Sequence, residues 1–127
     1  MVDLLADALN VIKVHRRVGK NECKVPASKL VEAVLHIFQK EKYIGEFEFV
    51  DDGKSGYFVI RSLGPINECR VIKPRRFVKC PELIEQQKGY LPSKNFGVLI
   101  LSTSNGVMTG KEAIKSNLGG RLLAYIY

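Results

Sequence analysis

Cysteine and histidine are scarce in this chain, and long apolar runs are absent. The three cysteines, Cys23, Cys69 and Cys80, are an odd number with no CxxC spacing. That excludes a disulfide framework and a zinc ribbon, and implies small buried thiols in a reducing compartment. His15 and His36 are too isolated to suggest metal ligands. The longest wholly aliphatic run is Val98–Leu101, far too short to cross a bilayer. Asp3 and Asp7 stand where a secretory segment would be basic and then apolar, so no signal peptide is expected. There is no low-complexity tract and no internal repeat. Acidic residues are scarce in the C-terminal half in particular. Residues 70–127 hold ten Lys/Arg against three Asp/Glu, whereas residues 1–69 hold ten of each. The whole net charge of +7 therefore sits in the second half. Within the first half, residues 1–30 are at +3 and residues 31–69 at −3. A polyanion should meet the C-terminal half and the first helix, and avoid Glu46–Asp52.

The chain's 127 residues, 46% of them hydrophobic, suit one compact domain or two small lobes. Asp3 can cap a first helix whose apolar face is Leu5, Leu9 and Ile12, ending near Val18–Gly19. Glu22–Val25 reads as a short strand. Pro26 and Ser28 open a second helix with Leu30, Val34 and Ile37 on one face and Val31, Leu35 and Phe38 beside them. Glu46–Val50 alternates charged and apolar residues, Asp51–Lys54 turns, and Tyr57–Leu63 returns. Gly64–Pro65 is a break. Cys69–Lys73 is a strand, which Phe77 and Val78 continue beyond Pro74. Pro81–Gln87 is a short helix or turn. Gly97–Ser102 is a buried strand, Asn105–Gly106 a turn. Thr109 and Glu112 have capping-box spacing for a helix to about Asn117. Gly119 suits the left-handed position after it. Arg121–Tyr127 is the last strand. The expected fold is α+β: an N-terminal α-β-α-β-β lobe over residues 1–64, packed against a mostly β C-terminal lobe with a short helix over residues 65–127.

The most informative stretch is GVLILSTSNGVMTGKEA, residues 97–113. An apolar run ends in Ser102, Thr103 and Ser104, followed by Asn105 and Gly106. Hydroxyls at a strand end can simply satisfy the backbone of a turn. Three in succession, in the basic half, also suit RNA, whose wide minor groove displays 2′-hydroxyls and base edges. Arg70–Lys79 carries five cations and no acid. It reads as a protected strand edge, as a phosphate-binding surface, or as both. Lys13, Arg16, Arg17 and Lys20 on the first helix either add phosphate contacts or complement the helix C-terminus. GVMTGK, residues 106–111, has one residue too few for a phosphate loop, and Glu112 stands where Ser or Thr should bind magnesium. Ser104 lacks a nucleophile-elbow context. Tyr125 and Tyr127 read as core and rim residues. These features favour nucleic-acid binding over catalysis. No catalytic residue, metal or cofactor is expected, and no membrane or small-molecule partner.

The chain resembles the small-subunit ribosomal protein eight family in its archaeal and eukaryotic form. The likeness runs nearly end to end, through DLLADAL, VPASK, YIGEFEFVDDG, VIKPR, LPSKNFG, STSNGVMTGKEA and GGRLLAYIY. It implies a cytoplasmic protein of the small ribosomal subunit that binds the central domain of small-subunit rRNA and sits among neighbouring ribosomal proteins. It implies rRNA contact by Ser102, Thr103, Ser104, Asn105 and Gly106, with Lys29, Lys73, Arg75 and Arg76 on phosphates. Many members have Asn where this chain has Val14, and bacterial members often have Glu where it has Arg121. Arg121 can only donate. The alternative role is an RNA-binding translational regulator acting on mRNA, as bacterial relatives do on their own operons.

Overall fold

The computed structural model describes residues 4–20, 22–54, 56–73, 75–92 and 97–127. The chain divides into two compact units, Met1–Ile66 and Asn67–Tyr127.

The first unit runs α1 (Leu4–Arg17), β1 (Cys23–Pro26), α2 (Lys29–Lys40), β2 (Phe47–Val50) and β3 (Tyr57–Ile60), the expected α-β-α-β-β order. Its sheet is antiparallel, in the order β1-β3-β2. Leu5, Leu9 and Ile12 of α1 are buried, as their spacing predicts, and so are Val31, Leu35 and Phe38 of α2. Asp3 lies outside the described residues. Ser28 caps α2 by accepting from the Val31 N–H at 3.1 Å. The end of α2 is closed without a glycine. Lys42, with φ +67°, takes the left-handed position, and the Tyr43 N–H reaches back to the Phe38 carbonyl at 2.8 Å. Gly45 is needed for space: a Cβ there would lie 2.9 Å from that of Ser62.

The second unit runs β4 (Cys69–Val71), β5 (Phe77–Val78), α3 (Cys80–Tyr90), β6 (Val98–Thr103), β7 (Gly106–Thr109), α4 (Gly110–Lys115) and β8 (Gly120–Ile126). The sheet order is β4-β8-β6-β7, and β5 lies beside β8 on the same flank as β4. All pairings are antiparallel. One face carries Leu99, Leu101 and Leu122 into a core with Val78, Leu83 and Ala113. Tyr125 and Tyr127 pack against that core half-buried, the core-and-rim placement expected of them.

Four local expectations change. Residues 106–109 form a strand, not a turn running directly into a helix, so β6 and β7 make a hairpin. The segment after Arg70 is two strands, because β4 ends at Val71 and β5 begins at Phe77; Pro74 lies outside the described residues. The helix at residue 81 is longer than expected and spans eleven residues. The left-handed residue after α4 is Asn117 at φ +57°, not Gly119. The Leu118 N–H then closes on the Ala113 carbonyl at 2.8 Å.

Candidate nucleic-acid interface

The β6–β7 hairpin presents the hydroxyl run. Ser104 and Asn105 form its two-residue tip, and Thr103 pairs with Gly106. Gly106 has φ +109°, whereas neither Ser104 nor Asn105 has positive φ. That is the pattern of an ordinary turn closed by a glycine bulge rather than of a mirror-image turn. The three hydroxyls are consequently not equivalent. Thr103 Oγ1 donates to the Gly106 carbonyl at 2.9 Å and accepts from the Asn105 N–H at 3.1 Å. Its single proton is committed to the turn. Ser104 and Asn105 are exposed, and their side chains bond to no other described residue. Ser102 is half-buried at the end of β6. Free donors and acceptors therefore come from Ser102, Ser104 and Asn105, while Thr103 and Gly106 shape the tip.

β8 joins this hairpin to the basic segment. Its Arg121 pairs in register with Ser102 of β6 on one side and Phe77 of β5 on the other. Paired residues share a face, so these three form a row across the sheet. Arg121 is exposed, and its Nη1 donates to the Arg75 carbonyl at 3.1 Å. Lys73, Arg75 and Arg76 are all exposed, and Arg76 Nη2 donates to Gln86 Oε1 at 2.6 Å. Guanidinium groups and free hydroxyls thus share one end of one sheet.

The paired glycines make this closeness possible. A Cβ on Gly119 would lie 2.6 Å from the Val78 carbonyl oxygen. One on Gly120 would collide with the Ser102 carbonyl and sit 3.1 Å from Thr103 Cγ2. The chain passes between β5 and β6 because it has no side chain there. At the far side of the hairpin, buried Thr109 ends β7 and caps α4, its Oγ1 accepting from the Glu112 N–H at 3.2 Å.

Of the other cations named from sequence, Lys29 is exposed at the start of α2 and Lys13 is half-buried on α1. Both belong to the first unit. That unit also holds the acidic segment, where Glu48 pairs with Arg61, as does Glu22 from just before β1. Burial, aided by Glu22, pushes the Cys23 thiol up to about 11, so it stays protonated and unreactive. Burial also raises the Tyr125 hydroxyl, against a smaller opposing pull from Arg70. Among the described residues no three of His, Cys, Asp and Glu gather as metal ligands. No described helix is long and apolar enough to cross a membrane.

The sequence marks Arg121 as a departure from bacterial relatives that can only donate, to phosphate or to rRNA, and marks Phe77 only as a strand residue. Both are placed by strand register, which no local spacing reveals.

A cationic sheet end beside a polar hairpin tip is the equipment of a protein that associates with structured RNA. A family model for ribosomal protein S8 matches residues 3–127. The small ribosomal subunit protein uS8 of Methanococcoides burtonii, an archaeon, is 48% identical over 128 residues, covering 100% of this chain and 98% of that protein. The chain belongs to the ribosomal protein S8 family, whose members are structural constituents of the small ribosomal subunit.

Proposed function

We propose that this protein binds the central domain of small-subunit rRNA through its second unit, as a non-catalytic assembly component in the cytoplasm. The observation that carries this reading is the row from the basic segment through Arg121 to the hydroxyl-bearing hairpin. The two chemistries divide the work. Lys73, Arg75, Arg76 and Arg121 attract phosphates and set affinity without reading sequence. If four cations each neutralise one phosphate, log K should fall with log salt at a slope of about −3 to −4. Ser102, Ser104 and Asn105 offer short donors and acceptors to 2′-hydroxyls and base edges, at little cost in rotamer freedom. Thr103 and Gly106 hold the tip in shape. Lys13 and Lys29 add phosphate contacts from the first unit. Its acidic segment, Glu46–Asp52, faces solvent or neighbouring ribosomal proteins, because RNA would be repelled there.

The test is binding of the full chain to a central-domain rRNA fragment, to its own messenger leader and to an unrelated duplex, across a salt series. Preference for the rRNA fragment that survives rising salt is expected. Equal and steeply salt-dependent binding to all three would reduce the second unit to a polyanion surface. Preference for the messenger would make regulation the primary role.

A further inference from the structure

Phe77 is 59% exposed, in a strand of only two residues. Val78 beside it is buried in the core at 2% exposure, which fixes Phe77 on the opposite face of the sheet. No other described ring stacks on it. A single exposed apolar residue is ordinary on a protein surface. Its setting here is not. Exposed Arg75 precedes it by two residues, and Arg121 pairs with it across the sheet, while Arg76, between Arg75 and Phe77, turns to Gln86 of α3. Ser102 stands one strand further along the same row. The backbone on both sides of Phe77 is held to β8, since Arg76 O accepts from the Leu122 N–H at 3.1 Å and Val78 pairs with Gly120. The ring therefore projects from a fixed strand, on the face it shares with Arg121 and, one strand beyond, Ser102.

We infer that Phe77 is a stacking platform for an unpaired base of the bound rRNA. A flat ring on a sheet face offers its π-surface to any base. The adjacent guanidinium groups neutralise the phosphates that such a base brings with it. Ser102 then faces the ribose or base edge of the same stretch. The concentration of cations argues for a nucleotide as occupant. An apolar side chain of a neighbouring protein would gain nothing from Arg121 and the basic segment beside it. The inference rests on the rRNA reading of this sheet end and adds a binding mode to it: RNA read here includes at least one base out of its helix.

The chain has no tryptophan, so Phe77→Trp creates a lone indole. The full chain is titrated with the central-domain rRNA fragment and with an unrelated, fully paired duplex. The expected result is quenching of the indole by the fragment and not by the duplex, with affinity close to that of the parent. Phe77→Ala and Phe77→Leu should both weaken fragment binding by about tenfold, the scale of one aromatic–base stack, with the salt slope unchanged. Unfolding midpoints close to that of the parent are expected, because the side chain is outside the core. Parent-like affinity in Phe77→Leu would show apolar packing instead of stacking and overturn the inference. So would quenching by the duplex to the same extent. An unquenched indole in a protein that still selects the fragment removes the platform and leaves the rRNA reading intact. Loss of selectivity in the parent itself removes both.

Discussion

Replacing Gly120 with alanine separates two reasons for which a chain needs glycine. Gly120 does not have positive φ, so its backbone conformation is open to any residue. Its constraint is space. An added Cβ would lie 2.9 Å from the Ser102 carbonyl carbon, 3.1 Å from Thr103 Cγ2, and closer still to the Ser102 oxygen. An ordinary C···O contact is about 3.3 Å or more, so β6 and β8 must part by something on the order of 1 Å. The obstacle is backbone, which cannot rotate away as a side chain would. Overpacking costs about 1–3 kcal/mol, and the upper end applies here. Gly106→Ala is the contrasting case. Nothing lies within 4 Å of its Cβ, but its φ of +109° is unfavourable for alanine. It should lose about 1–2 kcal/mol by conformation alone. Urea denaturation of the three proteins measures both. Gly120→Ala should be the less stable variant and should also bind rRNA less well, because the displaced residues are Ser102 and Thr103. Stability of Gly120→Ala within about 0.5 kcal/mol of the parent, the range of an ordinary surface change, would refute the close-approach argument.

Thr103→Val removes both turn hydrogen bonds and should lower stability by about 1–2 kcal/mol in the same urea experiment. Lys42→Gly relieves a left-handed lysine and should raise the unfolding free energy by about 0.5–1 kcal/mol, the relief being partly offset by a freer unfolded chain. The folded state keeps the Cys23 proton up to about pH 11, whereas an unfolded thiol loses it near 9. Stability should therefore fall as pH rises through that window, and Cys23→Ala should flatten the decline in a pH series of unfolding midpoints.

Much of the first unit is legible in the residues themselves. Leu5, Leu9 and Ile12 announce a helix face, and Ser28 announces a cap. The alternation in EFEFV announces a strand, although Phe49 on its apolar face stays 55% exposed. These signals are local. β7 was not legible, because Val107 and Met108 are adjacent apolar residues without alternation, flanked by residues that read as a turn and a cap. Only pairing with β6 makes a strand of them. Glycine is the usual occupant of the left-handed position after a helix, which points to Gly119. Asn117 serves instead, and both glycines are required by neighbouring backbone that is distant in sequence. Composition and motif located the hydroxyls and cations of the candidate interface. Which hydroxyl is free is set by the two turn hydrogen bonds of Thr103, and Arg121 reaches the basic segment through strand register. Neither is written in local spacing.

The division between phosphate attraction and edge recognition is tested most directly by one comparison. Ser104→Ala and Arg75→Ala are titrated with the central-domain rRNA fragment and an unrelated duplex across a salt series. Ser104→Ala should weaken fragment binding by about 1–2 kcal/mol at every salt concentration and leave duplex binding unchanged. Arg75→Ala should weaken both RNAs and reduce the salt slope by about one. Equal effects of the two substitutions on both RNAs would contradict the account.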